Sequence, residues 1–307
     1  GDLKSAVNII EKLLTFNLSS IQLKLHLASL YSRTDSVESA KILYADIIAS
    51  GFISIDILYE YAVLSAKSND TDKAEELLKK IISLDSEYAF AYKDLGIIYL
   101  SRRFFDQASE NFKKAYKIAP DNIYVIFEYG NYYYLMSDFE NAKKMYNKLL
   151  LQDDIPVYML VNIAKNYIAL NMIKKAKSVL TKALEQEAQN PEVLFNLAQI
   201  YNMEKNYDNA QQLLEDAYAI SPNTEIVNLL ANVYMEQGSY NDAYALFNVV
   251  NLISPNNIGI LMNLAKCKFL EKDYKKAKEH LNYIYTILPE YEDAKNLMEK
   301  IEQEEIK

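Results

Sequence analysis

The chain has 307 residues, with 33 basic and 42 acidic side chains and a formal net charge of −9. Half of it is hydrophobic and only six glycines and six prolines occur, which excludes a wholly disordered chain and disfavours collagen-like, sandwich and loop-rich folds. The acidic balance argues against a nucleic-acid partner, because phosphate affinity comes largely from concentrated Lys and Arg. The single cysteine, Cys267, excludes an internal disulfide framework and a Cys-built zinc site, and leaves the compartment open, with the cytoplasm favoured.

A length prior of ~100–200 residues per domain suggests two domains, but a tandem array grows without enlarging any one core. The segment from Gly1 to Phe16 is amphipathic rather than a basic head with an apolar core, so it does not read as a targeting signal. No stretch approaches the ~20 apolar residues of a membrane span, so no membrane insertion by this segment is expected. Gly1-Asp2 reads as the middle of a repeat, so the expectation is a fragment of a longer protein.

Small residues set the period. Ala6, Ala40, Ala74, Ala108, Ala142, Ala176, Ala210, Ala243 and Ala277 recur every 34 residues, with one interval of 33. A second small series lies twelve residues before most of them: Ala28, Ala62, Gly96, Gly130, Ala164, Ala198, Ala231 and Ala265. Three residues beyond that series comes an aromatic in most units, for example Tyr31, Tyr99, Tyr133, Tyr167, Tyr201 and Tyr234. Pro120, Pro222, Pro255 and Pro289 close four of the units. Apolar residues within each half-unit fall at i, i+3, i+4, i+7, the spacing of one helix face. Each unit is therefore two helices joined by a short turn, with small residues at their closest approach.

In chain order, a lone second helix is expected over about 2–16. Helix pairs then begin near 21, 55, 89, 123, 157, 191, 224 and 258, each second helix starting about fifteen residues later. A last helix, about 290–305, is polar on one face, as the end of a stack requires.

The unit resembles the tetratricopeptide repeat, a 34-residue helix–turn–helix motif. In Ala89–Asn122 the residues Tyr92, Leu95-Gly96, Tyr99, Ala108, Phe112, Ala115 and Pro120 carry the likeness. In Pro191–Asn223 it is Leu194, Leu197-Ala198, Tyr201, Ala210, Leu214, Ala217 and Pro222. Departures are Ser65 and Lys268 in place of the aromatic, Ser86 in place of a proline, and Gly51-Phe52 where the unit from Ile21 closes without proline. The resemblance implies an all-α, right-handed α-solenoid of about eight helix pairs, plus an N-terminal half repeat and a C-terminal capping helix. The expected division is a single array: 1–20 as the half repeat, repeats at 21–54, 55–88, 89–122, 123–156, 157–190, 191–223, 224–257 and 258–289, and a cap at 290–307.

No residue set supports catalysis, a cofactor or a metal. His26 and His280 are far apart and have no second His at i+4, so both read as ordinary polar surface, and Cys267 reads as filler. No phosphate-binding glycine loop or nucleophile elbow occurs. Lysine clusters such as Lys143, Lys144 and Lys148 lie on second helices among acidic residues and read as a solvated face.

The resemblance implies that the first helix of each pair lines an inner groove. Residues one after, and two, three and six before, each second-series small residue are then the groove candidates. They include Asp56, Tyr59, Glu60 and Val63, then Phe90, Lys93, Asp94 and Ile97, then Tyr124, Phe127, Glu128 and Asn131. Beyond these come Tyr158, Val161, Asn162 and Lys165, then Glu192, Phe195, Asn196 and Gln199, then Met262, Asn263 and Lys266; Tyr134 lies one turn past Asn131. Asparagine amides at repeat spacing both donate and accept, so a row of them suits the backbone of an extended peptide, with aromatics supplying side-chain pockets. The expected peptide-binding set is Phe90, Lys93, Tyr124, Phe127, Asn131, Tyr134, Tyr158, Asn162, Lys165, Phe195, Asn196 and Gln199. A clamp for a C-terminal carboxylate, known in chaperone-binding members, is disfavoured: Phe127, Glu192 and Asn196 stand where its basic residues belong.

The functional expectation is a non-catalytic scaffold that holds a protein or peptide partner of unknown identity in its groove. Alternatives are a scaffold that self-associates, including a homo-oligomer through its open N-terminal end, and a targeting module of a larger enzyme.

Overall fold

The computed structural model describes residues 3–17, 20–34 and 36–306. Among these, all regular structure is helical: eighteen α-helices and no strand. The chain divides into two compact units, Gly1–Ile155 and Pro156–Lys307.

The first unit begins with α1 (Leu3–Phe16), followed by the pairs α2 (Ile21–Arg33) and α3 (Val37–Ala49), and α4 (Ile55–Lys67) and α5 (Thr71–Leu84). It continues with α6 (Ala89–Ser101) and α7 (Phe105–Ile118), then α8 (Ile123–Leu135) and α9 (Phe139–Leu149). The second unit holds α10 (Val157–Ala169) with α11 (Ile173–Gln186), and α12 (Pro191–Met203) with α13 (Tyr207–Ile220). After these come α14 (Thr224–Glu236) with α15 (Tyr240–Ile253), α16 (Ile258–Leu270) with α17 (Tyr274–Ile287), and α18 (Glu292–Glu305). The first helices start where the period places them. Many starts are written locally: Ser54, Asp70, Asn122, Asp138, Asn190, Asn206, Asn223, Asn257 and Asp273 each accept a backbone N–H of the first turn.

The turn within each pair has a form that the sequence conceals. Asn69, Arg103, Ser137, Asn171, Lys205, Gly238 and Lys272 all have positive φ, and they recur at the repeat interval. After each, the next N–H reaches back to the carbonyl five residues earlier, as Phe104 does to Tyr99 at 2.8 Å and Asn206 to Tyr201 at 2.8 Å. This is the Schellman closure, whose left-handed residue is usually glycine; here only Gly238 is. An L-residue there carries a cost of ~1–2 kcal/mol that glycine avoids. Lys205 is exposed, so Lys205→Gly is expected to raise stability by about 0.5–1 kcal/mol. Urea unfolding checks this, and an unchanged or lowered midpoint would refute it.

The two small series meet inside each pair. Gly96, Ala108, Ala198 and Ala210 are all buried, as expected. A Cβ added at Gly96 would lie 2.8 Å from the Phe112 ring, and one at Gly130 would lie 2.5 Å from Tyr146. The units with Ala62, Ala164, Ala198 and Ala265 instead carry Leu78, Leu180, Leu214 and Leu281 at the position of those rings. The two glycines thus make room for large rings by giving up a methyl. Ala28 and Ala231 coexist with Tyr44 and Phe247, so the exchange is not obligatory.

The two departures at the aromatic position have different outcomes. Ser65, in place of the aromatic, is fully buried and its Oγ has no hydrogen-bond partner. Lys268 is 6% exposed; its ammonium lies 2.6 Å from Glu271 and 3.9 Å above the Tyr244 ring, so a buried ion pair and a cation–π contact take the aromatic's place. Helix α1 buries none of its described residues fully and exposes Ile9, Leu13 and Phe16.

Candidate functional site

The predicted site residues fall in both units. Phe90, Lys93, Tyr124, Phe127, Asn131 and Tyr134 belong to the first, and Tyr158, Asn162, Lys165, Phe195, Asn196 and Gln199 to the second.

In the first unit, Tyr124 is 45% exposed on α8. Phe90 lies in an aromatic cluster with Tyr59 and Tyr88, ring centroids 6.2 and 6.1 Å away, and the Lys93 ammonium sits 5.7 Å from its ring. Tyr134 is partly buried against the edge of Phe139. Asn131 accepts from the Tyr146 hydroxyl at 2.7 Å and donates to Glu128 at 3.3 Å. Phe127 must be corrected: it is 3% exposed and packs against Tyr146, so it belongs to the core. The reason is angular. At about 100° per residue, positions +1, −2 and −6 from the small residue lie roughly 100–160° away, whereas −3 lies only about 60° away, on the edge of the buried stripe. Val161 and Met262, also at −3, are buried for the same reason.

A row of carboxylates in this unit is the feature that sequence reasoning missed. Glu60, Asp94 and Glu128 occupy one equivalent position in successive repeats, 34 residues apart. That interval was the signal. Tyr59 on α4 donates to Asp94 on α6 at 2.7 Å, and Lys93 pairs with Asp94 at 2.6 Å. Burial, followed by Asp56, Asp94 and Glu60, raises the Tyr88 phenol above its ordinary value. Burial raises the Glu128 carboxyl, opposed by its bond from Asn131 and by Lys93. The same position in the second unit carries Asn162, Asn196 and Asn263.

In the second unit, Tyr158 is 48% exposed on α10, and Lys165 reaches Glu192 on α12 at 2.6 Å. Phe195 and Gln199 are half-buried. Asn162 donates to its own helix, to the Tyr158 carbonyl at 3.1 Å. Asn196 does the same to Glu192 at 2.7 Å and is 2% exposed, which corrects its assignment as a ligand-facing amide. Its amide nitrogen finds an acceptor within one helical turn of its own helix.

The groups singled out for chemistry have structural surroundings. Cys267 is fully buried, and burial pushes its thiol up to about 12, the surroundings of a packed side chain. His280 is a correction to the surface reading: it is partly buried, with Nε2 3.0 Å from the Tyr244 hydroxyl. Burial, aided by Lys268 and opposed by Glu279, lowers its pKa below 6.5. The unfolded chain therefore binds this proton more tightly, and the stability His280 contributes is lost as pH falls through 6.5 and below. His280→Gln is expected to flatten that part of the stability–pH curve; parallel curves for the two proteins would refute this. Among the described residues, no group of three or more His, Cys, Asp or Glu is placed to hold a metal, and no helix is long and apolar enough to cross a membrane.

Tandem helix pairs closed by recurrent Schellman turns, with first helices lining up side chains at repeat spacing, define a helical-repeat protein of the kind that presents extended binding surfaces. The chain carries tetratricopeptide repeats. Residues 55–88 and 167–233 match two family models described as tetratricopeptide repeat. Residues 203–284 match the model described as anaphase-promoting complex, cyclosome, subunit 3. The comparison with curated proteins returned no match. Among solved structures, a chain of the APC/C hetero-tetramer Cut9–Hcn1 is similar, with TM-score 0.63 and 16% identity over 97% of this chain and 59% of that one. A tetratricopeptide repeat protein from Parabacteroides merdae aligns with TM-score 0.58 and 20% identity, over 80% of this chain and 97% of its own. The pilF protein of Pseudomonas aeruginosa aligns with TM-score 0.60 and 19% identity, over 70% and 98%. At these identities the likeness is one of fold, and the chain spans 59% of the APC/C chain that it matches.

Proposed function

We propose that the chain is a scaffold that holds an extended segment of a partner protein along the first-helix faces of its repeats. The observation that carries this reading is the exposure of Tyr124 and Tyr158, about half open on helices whose other large apolar side chains are mostly buried. The open half of each phenol ring offers a bound segment a rigid, amphipathic contact at low entropic cost. The structural neighbours lend support: one belongs to a hetero-tetramer, another is a type IV pilus biogenesis factor. The second aligns with TM-score 0.61 at 16% identity, over 69% of this chain and 97% of its own.

The experiment places a photo-crosslinking residue at Tyr124, at Tyr158 and, as control, at Lys114 and Lys182 on second helices. The expected result is a common partner captured at the two tyrosine positions and not at the lysines, with a short partner peptide surviving digestion. Capture at the lysines alone would assign function to the opposite face.

A further inference from the structure

A cavity of about 160 Å³ opens between α4 and α6 in the first unit. Its walls are apolar: Ala62, Val63 and Ala66 on α4, with Ile97 and Ile98 on α6. Asp94 and Lys67 are the charged residues that line it. Ile97 is 37% exposed and Ala66 is exposed, so the cavity is open to a ligand and is not a sealed packing defect. A cavity of about 150 Å³ is large enough to hold a six-carbon ring. A leucine, isoleucine or methionine side chain fits that description.

The charge around it selects the occupant. Asp56, Glu60, Asp94 and Glu128 form a run of carboxylates across α4, α6 and α8, and Lys93 is the cation paired within it, on Asp94. The run is continuous: Asp56, Glu60 and Asp94 all act on the Tyr88 phenol, and Asp94 and Lys93 both act on Glu128. A partner seated in the cavity lies among these acids. An acidic segment would be repelled, and a basic one would be steered in and held in register.

We infer that the first unit binds an extended basic segment, an apolar side chain of which fills the cavity between α4 and α6 while flanking Lys or Arg side chains meet Glu60, Asp94 and Glu128. This rests on the scaffold reading above and adds the partner's chemistry. Packed helices lie ~8–10 Å apart, and an extended chain rises ~3.3 Å per residue, so successive carboxylates match basic residues about three positions apart.

The probes are three synthetic twelve-residue peptides with leucine between charged positions spaced by three: one carrying lysines, one glutamates and one glutamines. Binding to the full chain is measured by fluorescence anisotropy at low and high salt. The lysine peptide is expected to bind at least tenfold more tightly than the other two, with affinity falling as salt rises. Asp94→Asn and Glu60→Gln should each weaken it severalfold, and Lys67→Gln should tighten it. Ala66→Phe, an exposed position, should block the cavity and abolish binding without loss of helical signal. Equal binding of all three peptides, indifferent to salt and lowered by Tyr124→Ala, would overturn the basic-segment inference and leave the groove reading standing. Failure of all three to bind would also overturn it, with the crosslinking experiment deciding the groove reading separately.

Discussion

Phe112→Ala is expected to destabilise the first unit by about 3–5 kcal/mol, the range for emptying a buried phenylalanine site. The ring is 1% exposed on α7. On one side it rests against Gly96 of its own repeat, where an added Cβ would come within 2.8 Å. On the other it stacks on Tyr129 at 6.1 Å and meets Tyr132 at 5.4 Å, both on α8 of the next repeat. One side chain therefore serves both the internal packing of a repeat and the interface between repeats, the two terms whose sum sets the stability of such arrays. Chemical unfolding followed by hydrogen exchange checks the expectation: exchange should quicken most across α6, α7 and α8. Gly96→Leu alone should also destabilise, by ~1–3 kcal/mol of overpacking. Combined with Phe112→Ala it should recover part of the loss, because the new side chain enters the space the ring has left. Strict additivity of the two changes would show that the glycine and the ring are not in contact.

Phe127→Ala is expected to cost a similar ~3–5 kcal/mol. The residue is 3% exposed, and its ring centroid lies 6.4 Å from that of Tyr146, the side chain that covers Gly130. Tyr124→Ala, one turn earlier on the same helix but 45% exposed, should change stability by less than ~0.5 kcal/mol. The pair separates a core aromatic from a surface one within a single helix. If Phe127→Ala leaves the unfolding midpoint in place, that side chain faces solvent and the original groove assignment returns.

The array was legible in the sequence because its determinants are local and repeated. A 34-residue interval between small residues and apolar positions at helical spacing give the helix starts to within a residue at most elements. The buried alanines and glycines were legible for the same reason: a small residue recurring in a fixed context has few roles besides close packing.

What the sequence left open depends on angle and on neighbours. Phe127, Val161 and Met262 look like groove residues by spacing alone, but the adjoining helix covers the side of the stripe on which they lie. Asn162 and Asn196 look like ligand amides, yet each turns back on its own helix, a choice that only side-chain rotamers decide. The left-handed turn residues went unseen because Arg103, Ser137, Lys205 and Lys272 do not announce positive φ as glycine does; the packing of two helices forces it on them. Lys268 reads as a defect in the repeat until Glu271 and Tyr244 are brought around its ammonium. The carboxylate row shows the remaining division. Its spacing was present in the sequence at Glu60, Asp94 and Glu128, but only packed first helices turn three distant acids into one surface, and only their packing opens an apolar cavity beside them.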